Sequence, residues 1–161
     1  MAPTAPSLPP DFVDLLAAFA AARVRYLVIG GYAVGYHDRP RTTKDLDLLL
    51  DPDPVNVQRA CDALRTFGAA DEIVAELAAS REDEIVWMGV PPLRVDLLKQ
   101  AAGVTFDEAW SRRITAAWSG IDVAIISLDD LVVAKRAAGR PQDRVDATNL
   151  EKARRRARGK P

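Results

Sequence analysis

Apolar positions change their spacing repeatedly along the chain, and each change predicts an element. From Pro10 onward, Phe12, Leu15, Leu16 and Phe19 recur at helical spacing, the pattern of an amphipathic first helix. Tyr26-Leu27-Val28-Ile29 is a continuous apolar run closed by Gly30-Gly31, which reads as a buried strand entering a tight turn. A short helix through Ala33 follows, and residues 38–43, polar and containing Pro40, read as a loop. Leu46 to Leu50 supplies a second strand. Asp53-Pro54 opens a helix with an acidic N-cap and proline in the first turn. Val57, Cys61, Leu64 and Phe67 form its apolar face, and Gly68 ends it.

The second half alternates in the same way. Residues 71–79 fit a short helix, and two apolar runs, Ile85 to Val90 and Leu93 to Leu98, are split by Pro91-Pro92 as adjacent strands. Thr105 with Glu108 makes a capping-box pattern for a short helix ending near Trp110. Ile114 to Trp118 and Ile121 to Ile126 flank Ser119-Gly120, a hairpin signal. Ser127 caps a helix over Leu128 to Ala138, Gly139 stops it, and Pro141 opens the last helix. The order predicts an α+β domain with a mixed central β-sheet flanked by helices.

A length of 161 residues suits one core. We divide the chain into a loose arm (1–9), a domain (10–150) and a basic tail (151–161), whose Lys152, Arg154, Arg155, Arg156, Arg158 and Lys160 read as a disordered tip or an RNA contact. A net charge of −1 gives no whole-molecule steering towards nucleic acid. Cys61 and His37, the sole cysteine and histidine, exclude an internal disulfide and a structural zinc site. Cys61 reads as core. No apolar run is long enough to span a membrane and the start lacks a basic n-region, so the expected location is cytoplasmic.

The chemistry concentrates in GGYAVGYHDRPRTTKDLDLLL. Asp45 and Asp47 stand two apart at the start of a strand and share one face, while Leu46, Leu48 and Leu50 bury on the other. Neighbouring carboxylates repel, and a divalent cation removes the conflict; Mg²⁺ takes one or two carboxylates together with substrate phosphates. Asp96, within Arg94-Val95-Asp96-Leu97-Leu98, is another acid inside an apolar strand, which is costly unless paired or on a metal. Three such carboxylates could hold two ions about 3.5–4 Å apart for in-line phosphoryl displacement. Gly30 and Gly31 let backbone N–H groups approach a phosphate at a helix N-terminus.

A Gly-Gly turn after a strand, Asp-x-Asp on the next strand and a later strand Asp resemble the DNA polymerase beta superfamily of nucleotidyltransferases. Within it the chain looks most like the small prokaryotic AbiEii-type and minimal nucleotidyltransferases, from Tyr26 to Leu150. The resemblance implies that Gly30 and Gly31 touch the triphosphate and that Asp45 and Asp47 bind the metals. It implies that Asp96 completes the metal site and helps to activate the acceptor hydroxyl. The stretch from Ser127 through Lys135, Arg140 and Asp143 is similar to a recurring segment of that group, a helix with an inward lysine followed by an Arg-x-x-Asp turn.

Lys135 shares the apolar face of Leu128 and Leu131 and needs an anionic partner, either a triphosphate or Asp143 or Asp146. Arg39, Arg41 and Lys44 precede Asp45 and read as phosphate or RNA contacts, or as solvated loop charges. Thr43 reads as a loop cap, His37 as structural, and Trp87, Trp110 and Trp118 as core or edge packing.

The expected activity is transfer of a nucleoside monophosphate from a nucleoside triphosphate, with Mg²⁺ or Mn²⁺, to an acceptor hydroxyl of RNA (such as tRNA) or of a partner protein. The resemblance also brings a toxin–antitoxin context with a cognate antitoxin or toxin partner. The rival expectation is a catalytically idle nucleotide- or partner-binding module of the same fold.

Overall fold

The computed structural model describes residues 3–90 and 92–159. The elements run α1 (Pro10–Ala21), β1 (Tyr26–Ile29), α2 (Gly30–His37), β2 (Asp45–Leu50), α3 (Pro54–Phe67), α4 (Asp71–Ala79), β3 (Ile85–Met88), β4 (Arg94–Leu98), α5 (Phe106–Ser111), β5 (Ile114–Trp118), β6 (Ile121–Ile125), α6 (Leu128–Ala138) and α7 (Pro141–Arg158). The strands form one sheet in the order β3-β4-β2-β1-β6-β5. It is mixed, as expected. Strand β2 lies antiparallel to β1 and parallel to β4, β1 lies parallel to β6, and β3 and β5 are antiparallel edges.

Alternation gives the central strands two different faces. Leu46, Leu48, Leu50, Val95, Leu97, Val86 and Met88 point to one side and are buried in the main core with Leu15, Leu16, Phe19, Leu64 and Leu77. The other side of β2 and β4 carries Asp45, Asp47, Arg94 and Asp96, so the pleat separates core from chemistry within the same strands. Helix α3 starts as its sequence requires: Asp53 accepts from the Val55 N–H at 2.9 Å, Pro54 fills the first turn and left-handed Gly68 closes it.

Several boundaries differ from the sequence expectation. Helix α2 runs on to His37, whose Nε2 meets the Ile126 carbonyl at 2.7 Å, a structural tie between α2 and the end of β6. Strand β3 stops at Met88, because Gly89 turns left-handed at φ 106°. Thr105 flanks α5, but its side chain makes no capping bond. The basic stretch after Leu150 is helical to Arg158. It is held by Arg154 to Asp129 at 2.9 Å and Arg156 to Asp38 at 3.2 Å. Leu8 of the N-terminal arm packs on the core. Among the described residues no helix is long and apolar enough to cross a membrane.

Buried Asn56 ties together the ends that set the β1–β2 register. It accepts from the Arg25 N–H at 2.7 Å and donates to the Arg25 and Asp51 carbonyls, both at 2.9 Å. Replacing it with Leu leaves three backbone groups without these partners. Asn56→Leu should therefore lose on the order of 2–4 kcal/mol of stability in urea unfolding. A loss below about 0.5 kcal/mol would show that the tie is dispensable.

Candidate active site

The carboxylates are positioned by register. Parallel pairing of β2 with β4 sets Asp45 beside Arg94 and Asp47 beside Asp96. Antiparallel pairing of β3 sets Trp87 beside Asp96, and that of β1 sets Ile29 beside Asp47. A row therefore crosses the sheet from Ile29 through Asp47 and Asp96 to Trp87.

Gly30 ends this row and begins α2. Its φ of 68° is left-handed, and a Cβ there would overlap the Asp47 carboxylate. The turn and the carboxylate are thus in direct contact, at the end of a helix where the first N–H groups lack helical partners. A Cβ on Gly31 would instead meet the Thr43 hydroxyl at 2.7 Å.

The electrostatics are uneven. Burial first, then the neighbouring Asp96 charge and a hydrogen bond shared with it, then Asp45, push the Asp47 carboxyl up to about 7, against a smaller opposing effect of Lys135. The centre carries more negative charge than its surroundings stabilise. The nearest compensation is Arg94: Nε donates to Asp96 Oδ1 at 2.8 Å, and Nη2 to Asp96 Oδ2 and Asp45 Oδ2 at 3.3 Å. Among the described residues no three ligating side chains are gathered in a set able to hold a metal as they stand. The donor set nonetheless suits a divalent cation. It is all oxygen, it lies on one face, and burial, then the neighbouring acids, push the carboxyl of Asp47 up to about 7.

A cavity of about 380 Å³ brings these groups together with α6 and α7. Its lining includes Gly30, Asp45, Asp47, Asp96, Lys135 and Arg140. Lys135, almost buried, lies 3.1 Å from Asp146 and 3.3 Å from Asp143. Burial alone would raise both acids, but hydrogen bonds outweigh it and hold both below the usual range. Those to Asp143 come first from Arg140 and then Lys135; those to Asp146 come from Arg41, Gln142 and Lys135. In this state Lys135 has the acidic partners that the sequence left as one of its two alternatives.

Four candidate phosphate contacts, Gly31, Arg39, Arg41 and Lys44, are not among the residues lining this cavity. Arg41 pairs with Asp146 at 2.8 Å and lines a second cavity of about 460 Å³, on the Gly31 side of the turn with Tyr32, Tyr36 and Trp118; Lys44 is solvent-exposed. Sequence reasoning gave Arg94 and Trp87 no part in the site, and named Arg140 only as the start of the Arg-x-x-Asp turn. Trp87 is 59% exposed on edge strand β3, with the Arg94 guanidinium 5.2 Å from its ring centre, so of the two packing readings it takes the edge one. The alternation that places Asp96 opposite Val95 and Leu97 also places Arg94 beside it, and this was the available signal.

The fold is that of the nucleotidyltransferases. The chain superposes over 91% of its length on 98% of the lincomycin-bound lincosamide antibiotic adenylyltransferase LnuA, with a TM-score of 0.57 and 13% identity. It superposes over 89% of its length on 90% of ANT(2")-Ia in complex with adenylyl-2"-tobramycin, with a TM-score of 0.54 and 15% identity. Residues 13–153 match the model of the family described as nucleotidyltransferase of unknown function, DUF6036, and the chain belongs to that family. No curated protein sequence matches it.

Two outcomes follow for the metal-free protein. The Asp47 carboxyl titrates near 3.8 when unfolded and about 7 when folded, so the folded state favours its protonated form. Stability from that proton is fully present below the unfolded value and is lost as pH rises through about 7. Asp47→Asn should then be more stable than wild type at pH 8 in EDTA, by on the order of 2 kcal/mol, with the gap closing towards pH 4. Equal urea midpoints at pH 8 would remove the case for excess negative charge. Gly30→Ala should lose triphosphate binding by at least about tenfold, read by calorimetry, since the Cβ displaces Asp47; undiminished affinity would detach the turn from the site.

Proposed function

We propose that this protein is a metal-dependent nucleotidyltransferase that moves a nucleoside monophosphate from a nucleoside triphosphate to an acceptor hydroxyl. The observation that carries this reading is the direct contact between the Gly30 turn, a helix N-terminus suited to phosphate, and Asp47, paired in register with Asp96.

Asp45, Asp47 and Asp96 would hold the divalent cation, Mg²⁺ with Mn²⁺ as the alternative; bound, it neutralises phosphate charge. The backbone at Gly30 and Gly31 receives the triphosphate. Lys135 exchanges an acidic partner for a phosphate oxygen. Asp96 draws the proton from the acceptor hydroxyl as its oxygen attacks the α-phosphorus; the bond from that phosphorus to the bridging oxygen breaks and pyrophosphate leaves. Positioning and charge stabilisation supply most of the acceleration. Arg41 and Lys44 are assigned outer roles, towards phosphate or acceptor arriving from the Gly31 side.

For the acceptor we retain a hydroxyl of RNA, tRNA included, or of a partner protein, in a cytoplasmic toxin–antitoxin setting of the AbiEii-type or minimal nucleotidyltransferase kind. A small polyhydroxylated acceptor is a second reading. It is favoured by the antibiotics borne by LnuA and ANT(2")-Ia and by the near-complete coverage of those chains. An idle binding module of the same fold is the non-enzymatic rival.

Incubation with each α-³²P nucleoside triphosphate and Mg²⁺, in bacterial extract and with lincomycin or tobramycin, separates these. We expect label transfer by wild type and none by the Asp45→Ala/Asp47→Ala double variant; the labelled species names the acceptor class. Triphosphate binding without transfer to any acceptor would favour the idle module. Lys135→Met should weaken triphosphate binding about tenfold by calorimetry, and unchanged affinity would make the lysine purely structural.

A further inference from the structure

The positive charge closest to the three acids comes from their own sheet. Arg94 precedes Asp96 by two residues and therefore shares its face, and register places it beside Asp45. Its guanidinium bridges Asp45 and Asp96 at 2.8–3.3 Å while lying 5.2 Å from the centre of the Trp87 ring. It thus turns oxygens of both acids towards itself.

The anchorage is of a kind that can be exchanged. The Arg94 and Asp45 side chains are 37% and 43% exposed, whereas Asp96 is only 13% exposed. Half-exposed ion pairs are individually weak. Only β3 lies beyond β4, and β3 offers an exposed aromatic face on which a released guanidinium can rest.

We propose that Arg94 is an internal counter-ion that occupies the position of the divalent cation, so that metal enters by exchange. Cation binding at Asp45 and Asp96 frees the guanidinium, which stays at the rim on Trp87 and adds positive charge where phosphates arrive. Metal affinity is then set by the difference between two cations and is weaker than the acids alone would give. The inference rests on the metal-site reading above and assigns a positioning role to a residue outside the ligand set.

The test is Mn²⁺ titration without nucleotide, read as loss of the free-ion EPR signal, for wild type, Arg94→Gln, Arg94→Lys and Asp47→Ala. Arg94→Gln should bind about tenfold tighter than wild type. Arg94→Lys keeps the charge without the two-pronged bridge and should fall between them. Asp47→Ala should bind more weakly. Mg²⁺ should also change the tryptophan emission of wild type but not of Trp87→Phe or Arg94→Gln. Should Arg94→Gln fail to fold by circular dichroism, the Arg94→Lys order and the Trp87 emission decide. Equal or weaker Mn²⁺ binding by both Arg94 variants, or a wild-type emission that Mg²⁺ leaves unmoved while Mn²⁺ binds, overturns the exchange and leaves the metal site standing. If no protein binds Mn²⁺, or Asp47→Ala binds as wild type does, the metal-site assignment itself falls.

Discussion

Three carboxylates on one face of two paired strands repel one another, and the surrounding structure is organised around that repulsion. Strand separation in a sheet is fixed near 4.8 Å by the backbone hydrogen bonds. Asp47 and Asp96, directly paired, therefore cannot move apart without breaking the ladder. Relief has to come from a proton, a nearby cation or a bound ligand. The protein in hand uses the first two, a proton held on Asp47 to about pH 7 and the Arg94 bridge. A divalent cation, as proposed above, would replace both.

The C-terminal helices answer the same field with a cluster in which three cations meet two acids. Lys135 and Arg140 from the α6–α7 corner, with Arg41 from the loop before β2, surround Asp143 and Asp146. Both acids are buried, so removing any one cation leaves a desolvated charge partly unpaired. The cluster fixes the loop carrying Arg41 against α7. That loop enters β2 at Asp45, so helix packing at the end of the chain helps to set where the first carboxylate begins.

Much of this was readable from the residues. The β1-turn-α2 unit, the two-residue spacing of Asp45 and Asp47, and the inward lysine of α6 follow from periodicity and cost arguments that need no tertiary information. What was not readable depended on partners distant in sequence. Alternation puts Arg94 beside Asp96, but its bridge to Asp45 is laid down only by parallel pairing. The stretch after Leu150 is polar on most sides, and by itself it looks like a tail. In the fold it continues α7 to Arg158, with Arg154 paired to Asp129 and Arg156 to Asp38. Thr105 shows the opposite error, where a local capping pattern was present and its side-chain bond was not made.

The glycine doublet carries two requirements rather than one repeated. Gly30 combines a left-handed φ with a neighbour, Asp47, whose backbone the sheet holds, so an added Cβ is strained at its own backbone and displaces the carboxylate. Gly31 has no left-handed φ, and its Cβ would meet the Thr43 side chain, the hydroxyl at 2.7 Å and the Cβ at 3.1 Å. The first glycine is therefore demanded by the carboxylate centre and the second only by a loop contact. This ordering follows from where each points: Gly30 borders the acidic cavity, and Gly31 borders the aromatic one containing Tyr32, Tyr36 and Trp118. A small side chain at the second position would narrow the approach from the Gly31 side while leaving the three acids in place, so the two positions separate the shape of the entrance from the chemistry behind it.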